Sequence, residues 1–122
     1  RDSIKTAVSI TYRGRLQIFA GSVYTSDLSR VIIAAKEENQ IQARIFLARQ
    51  LSQSLEKALK DISINRSQRI EDVVIIPIPS SKSADRRRGF AHIELLVNQL
   101  MEMNETLNIK VLNKLPTHNS EF

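Results

Sequence analysis

The sequence contains no cysteine. Disulfide frameworks and thiolate metal centres are therefore excluded. Glycine and proline are scarce, three of each in 122 residues, too few chain-breakers for a loop-rich or low-complexity protein. Aromatic residues make up only 5%, few for a surface on which successive bases stack. No apolar run approaches the roughly 20 residues of a membrane-spanning helix. The first residues form a polar, strand-like pattern without the apolar core of a secretory leader. The expectation from these absences is a cytoplasmic protein with no membrane partner.

What is present has globular proportions, 42% hydrophobic and 25% charged, so a packed core is expected. The length predicts one domain over residues 1–122, able to bury a core without staples. Strand-like segments alternate with helical ones, which predicts an α/β fold. The net charge of +5 suits an anionic partner, either a phosphorylated small molecule or nucleic acid. It serves solubility equally well, so the placement of the charge matters more than its sum.

Residues 5–12 alternate and are rich in Val, Ile, Thr and Tyr, which predicts a strand. Arg13-Gly14 reads as a tight turn into a second strand through Leu16, Ile18 and Ala20, weakened at its end by Gly21 and Ser22. Thr25, Ser26 and Asp27 are capping types. Leu28, Val31, Ile32 and Ala35 follow at helical spacing, to an end near Glu38. A second helix is predicted over 41–60, with the stripe Ile45, Ala48, Leu51, Leu55, Ala58 and Leu59. The polar stretch 61–71 reads as a loop. Consecutive β-branched residues at 73–76 predict a central strand of a parallel sheet, buried on both faces and stopped by Pro77 and Pro79. Residues 80–88 read as a basic loop, 90–103 as a third helix and 109–115 as a last strand.

In open α/β sheets ligands bind outside the carboxyl ends of the strands. Here that position carries Ser80, Ser81, Lys82, Ser83, Arg86, Arg87 and Arg88. Hydroxyls and amides would donate to an anion, guanidinium forks match phosphate oxygens, and the following helix adds free amides. Gly89 would permit close approach or a positive φ. A solvated loop whose arginines pair with surface acids explains the same residues. Lys36, near the end of the first helix, reads by spacing as a favourable charge at a helix C-terminus. His92 lies beside the basic loop, where an exposed, inert histidine is the plainer expectation. No His, Cys or acidic cluster stands at metal-ligand spacing around His92 or His118, so no protein-held metal is expected.

From Asp72 the chain reads DVVIIPIPSSKSADRRRGFAHIELL. This segment resembles the ComF family of competence-associated phosphoribosyltransferases, in which an apolar strand ends in PVP and a basic loop leads to RGFNQ and a helix. Pro77-Ile78-Pro79 stands for PVP, Arg88-Gly89-Phe90 matches RGF, and Glu94-Leu95-Leu96 matches the helix start. Tyr24, Leu28, Ile32 and Lys36 match the upstream order of a tyrosine, a Leu-rich helix and a terminal lysine. Ala91-His92 stands where the family has Asn-Gln, and the family's cysteine-built zinc module has no counterpart.

The resemblance implies a partial type I phosphoribosyltransferase-like, Rossmann-like fold: an N-terminal β-hairpin, three helices and a central parallel strand. It implies transfer of ribose 5-phosphate from phosphoribosyl pyrophosphate to a nitrogen nucleophile, with Mg²⁺ bound alongside the substrate. Ser80, Ser81, Lys82, Arg86, Arg87, Arg88 and Gly89 would take the pyrophosphate. Lys36, Phe90 and His92 become substrate-contact candidates. Family members continue into a strand bearing two acids and a Thr-Thr-Gly-type loop for the 5-phosphate. Val111 to Leu115 is followed here by Pro116 and Thr117 instead. The expectation is thus the pyrophosphate half of a site, inactive by itself. Two other readings stay open: a module for single-stranded nucleic acid in DNA uptake, and a regulatory or interaction remnant that kept the fold without the chemistry.

Overall fold

Gly14, at φ +61°, turns the chain between β1 (Ser9–Arg13) and β2 (Leu16–Ala20). The strands are antiparallel, with Ser9 opposite Ala20 and Arg13 opposite Leu16. The computed structural model describes residues 7–78 and 80–112. The start of the first predicted strand, Pro79 and the end of the last predicted strand lie outside the described residues.

Helix α1 (Ser26–Lys36) begins where the capping residues predict. The Thr25 hydroxyl accepts the Leu28 amide at 3.1 Å, and Asp27 in the first turn pairs with Arg30 at 2.7 Å. Asn39 takes a positive φ of 55° and ends the helix without glycine, as Asn does more readily than most residues.

Helix α2 (Ile41–Arg66) runs from its predicted start to Arg66, beyond the predicted end at residue 60. The stretch taken for a loop has no Gly or Pro to break it, and Lys57 pairs with Asp61 one turn on, at 3.5 Å. Polarity there signals exposure rather than irregular backbone. Ser67, at φ +52°, closes the helix.

Strand β3 (Asp72–Ile75) lies parallel to β4 (Asn108–Val111), with Val73 opposite Ile109 and Ile75 opposite Val111. The Asn108 side chain donates to Asp72 at 2.8 Å and pins this register. The expectation of a central strand buried on both faces is corrected. Val73 and Ile75 turn inward, but Val74 is 56% exposed and Ile76 43%. Among the described residues β3 has one neighbouring strand, β4, and the alternate residues Asp72, Val74, Asn108 and Lys110 of the pair are exposed.

Between β3 and β4 stand two helices where one was predicted: α3 (Lys82–Arg88) and α4 (His92–Glu102). The architecture is thus mixed α/β, a two-stranded antiparallel sheet, a two-stranded parallel pair and four helices. Helix α2 is the hub, with α1, α4 and β2 all packed on it. Ala35 and Ala48 are wholly inaccessible, and their small side chains let α1 and α2 approach closely. Among the described residues, Leu28 and Leu100 are the large buried apolar side chains, each contributing roughly 1.5–3 kcal/mol by burial. Asn104 ties α4 to the hub, donating to the Leu100 carbonyl at 2.8 Å and to Ser52 of α2 at 3.1 Å.

Candidate anion site beyond the parallel pair

The basic segment is a short helix rather than a loop. Ser81 caps α3, its hydroxyl accepting the Ala84 amide at 3.1 Å. Gly89, at φ +86°, closes it, and the Gly89 amide donates to the Asp85 carbonyl at 2.9 Å. The positive φ anticipated for Gly89 is therefore spent on ending α3. Arg86, Arg87 and Arg88 fall in the last turn, where the helix dipole favours cations. No side chain of α3 is apolar enough to mark a helical period, which explains why the sequence pattern hides it.

The three arginines have different fates. The Arg88 side chain is only 6% exposed. Its Nε and Nη2 donate to the two carboxylate oxygens of Glu37 at 3.3 and 3.2 Å. Its Nη1 donates to Ser80 Oγ at 3.3 Å and stands 3.8 Å from Asp85. For Arg88, then, pairing with an acid is what the structure contains. Arg86 and Arg87 are exposed, with no hydrogen-bond or ion-pair partner among the described residues.

Lys36 and Glu37 bring the end of α1 to the same place. The hydrogen bond from Arg88 holds the Glu37 carboxyl below its ordinary value, with the charges of Arg88, Arg87 and Lys36 adding to the effect. The fold thus joins Lys36, picked out by the sequence, to the arginines of α3. Glu37 was missed, because a carboxylate just past a helix end carries no sequence signal of a partner 51 residues away.

His92 is the first residue of α4 and is 5% exposed, so the expectation of an exposed histidine is corrected. Burial lowers its pKa, and the charges of Arg88, Arg44 and Lys36 lower it further, against a smaller opposing effect of Glu37. Its Nδ1 is buried with no hydrogen-bond partner among the described residues. Phe90 does not face outward as a free platform: the Arg44 guanidinium sits over its ring, 5.9 Å from the centroid. Arg44 was not singled out in the sequence. The available signal was its spacing one turn before Ala48, which puts both on one helix face.

A cavity of about 600 Å³ opens beyond the carboxyl ends of β3 and β4, with Pro77, Ser80, Ala91 and Val111 in its wall. Lys82, Asp85, Glu94 and Asn98 supply the polar groups. Of the predicted site residues, Ser80 and Lys82 line this cavity, while Ser81 and Gly89 serve as helix caps. No protein-family model, curated protein or solved structure matches this chain. No cluster of three or more metal-ligating side chains occurs among the described residues, and His118 lies outside them. Chemically the wall offers one cation, Lys82, hydrogen-bonding groups in Ser80 and Asn98, and two carboxylates, Asp85 and Glu94. It holds no histidine or cysteine to act as a nucleophile.

Proposed function

We propose that this chain is a phosphoribosyltransferase-like domain of the ComF type that binds the pyrophosphate group of phosphoribosyl pyrophosphate. The single observation that carries the reading is the cavity at the carboxyl ends of the parallel β3–β4 pair, lined by Ser80 and Lys82. This is where open α/β sheets take their ligands. Lys82 would neutralise a phosphoryl oxygen and Ser80 would donate to one, with Arg86 and Arg87 adding attraction from the adjoining surface. The work is positioning and charge neutralisation, with no covalent intermediate. A type I phosphoribosyltransferase-like fold accords with two parallel strands joined through helices.

The two carboxylates in the wall, Asp85 and Glu94, suit a Mg²⁺ ion, which is commonly held by one or two carboxylates together with substrate phosphates. When bound, such an ion would shield the pyrophosphate and ease its departure. Binding single-stranded nucleic acid is the less favoured reading. Phe90, the aromatic residue adjoining the arginines in sequence, is engaged by Arg44 rather than open for base stacking.

Titration calorimetry with pyrophosphate and Mg²⁺ tests the proposal. Wild type should bind, Lys82→Ala should bind at least tenfold more weakly, and Arg86→Ala with Arg87→Ala should lose less. Equal binding by wild type and Lys82→Ala would remove the cavity from the reading. Tight, steeply salt-dependent binding of an oligonucleotide in place of pyrophosphate would favour the nucleic-acid module.

A further inference from the structure

Arg44 is a buried cation without a counter-charge among the described residues. The residue is 7% exposed, yet none of its nitrogens forms an ion pair among the described residues. Its Nη2 donates to the Asn39 side-chain oxygen. Its Nε is buried with no hydrogen-bond partner among the described residues. The Phe90 ring covers one side of the guanidinium. Burying a charge is expensive unless it is paired, because water's solvation is lost and nothing replaces it. A neutral amide oxygen and an aromatic face compensate only part of that cost.

The position of Arg44 on α2 makes the deficit larger. It lies in the first turn of a 26-residue helix, the end at which the dipole is positive. That end has no acidic residue in its first turn and no side-chain cap, since Gln40 forms no capping hydrogen bond. The first amides of α2 therefore lack the partner that a Ser, Thr, Asp or Asn would supply. The bond to Asn39, which precedes the helix, shows that the Arg44 side chain folds back toward these amides. Positive charge gathers around neighbouring His92, on which Arg88 and Lys36 act together with Arg44, against an opposing effect of Glu37. Glu37 is already held by Arg88.

We infer that the N-terminus of α2, together with Arg44, forms a second anion site, which takes a phosphate group. The guanidinium fork and two or more helix amides would share its oxygens, as helix N-termini commonly do. A doubly charged phosphate suits the local excess of positive charge better than a singly charged carboxylate. The site is separate from the cavity beyond β3 and β4, whose wall does not include Arg44. It holds whether or not that cavity takes pyrophosphate.

The test is thermal unfolding of the whole chain in millimolar inorganic phosphate, against chloride and acetate at matched ionic strength. Phosphate should raise the wild-type midpoint by about 4 °C near tenfold saturation, with acetate giving little. Arg44→Met keeps the shape of the side chain and removes the charge. Without phosphate its midpoint should equal or exceed wild type, because an unpaired buried charge has been removed. With phosphate it should lose the part of the rise that Arg44 carries, and in the Lys82→Ala background it should show no rise. Lys82→Ala, which removes any phosphate taken by the cavity beyond β3 and β4, should keep the part of the rise that Arg44→Met loses. Where Arg44→Met folds poorly, Arg44→Lys, which keeps the charge and loses the fork, should show a reduced rise. Phosphate should also shift the amide resonances of residues 41–44 in wild type. An undiminished rise in Arg44→Met, no rise in wild type, an equal rise in acetate, or amide shifts confined elsewhere would each overturn the inference.

Discussion

Arg88 grips Glu37 side-on, through two hydrogen bonds of 3.3 and 3.2 Å across 51 residues of sequence. The contact joins the end of α1 to the end of α3, and a third bond to Ser80 carries it to the segment that follows β3. Only the Arg88 end is buried. The Arg88 side chain is 6% exposed and that of Glu37 38%. The contact is therefore a strut anchored by the arginine, with the carboxylate as its wetter end.

Loss of the strut should be felt through Arg88. Arg88→Ala is expected to destabilise the fold by about 1–3 kcal/mol, through lost packing of the side-chain stem and three lost hydrogen bonds. Arg88→Lys should rescue little, because an ammonium cannot reproduce the fork. Arg87→Ala, at an exposed position, should stay within about 0.5 kcal/mol of wild type. Urea unfolding midpoints at constant m-value measure all three. Equal losses for Arg87→Ala and Arg88→Ala would refute the strut.

Stability should decline in two stages as pH falls. The His92 pKa is lowered below its ordinary 6.5 in the folded state. Below pH 6.5 the unfolded chain takes up a proton that the folded protein refuses, so this contribution is complete above 6.5 and shrinks as pH drops. Glu37 is held below its ordinary 4.5. Its contribution is complete above 4.5 and is lost as pH falls through its folded value. Melting temperatures across mildly acidic pH check the first stage. His92→Phe should flatten that stage and leave the second in place.

Gly21 marks where β2 meets the hub. A Cβ there would stand 2.6 Å from the Gln50 carbonyl oxygen and 2.9 Å from Ser54 Oγ. Backbone cannot yield as a flexible side chain does, so Gly21→Ala is expected to cost about 1–3 kcal/mol. Gly14→Ala meets no atom within 4 Å and should cost only its positive φ, about 1 kcal/mol. Chemical denaturation of the two variants side by side gives the comparison, and a Gly21→Ala loss no larger than that of Gly14→Ala would contradict the close contact.

Helix α3 has no buried residue, so its caps should matter locally. Ser81→Ala and Gly89→Ala should each weaken it by about 1 kcal/mol. Faster amide exchange within residues 82–88, with little change in α2, is the expected signature. Unchanged exchange at Ala84, whose amide bonds to Ser81, would argue against the cap.

The hairpin, its Gly14 turn, the Thr25 cap and the start of β3 were legible because each rests on neighbours within a few residues. The alternating strands, the capping hydroxyl and the conformational needs of glycine are local facts. Helix α3 was not legible, since a helix that buries nothing shows no apolar period. The stripe predicted for α2 was partly wrong for a different reason. Leu51 is 42% exposed, while Gln50 and Ser54 are buried. Which face of α2 is covered depends on where α1, α4 and β2 come to rest on it.

The same division runs through the candidate site. The amino-acid sequence by itself determined that a β-branched strand leads into a basic segment closed by Gly89, and that Lys36 follows an apolar helix. Only the tertiary structure decided what each cation does. Arg88 is committed to Glu37, Arg44 is buried without a counter-charge among the described residues, and Lys82 faces a cavity. The physical reason is range. Propensity and capping act over a few residues of chain, whereas the cost of a charge depends on solvent and neighbours in space. Here those neighbours arrive from the ends of α1, α3 and α4, which no spacing along the chain brings together.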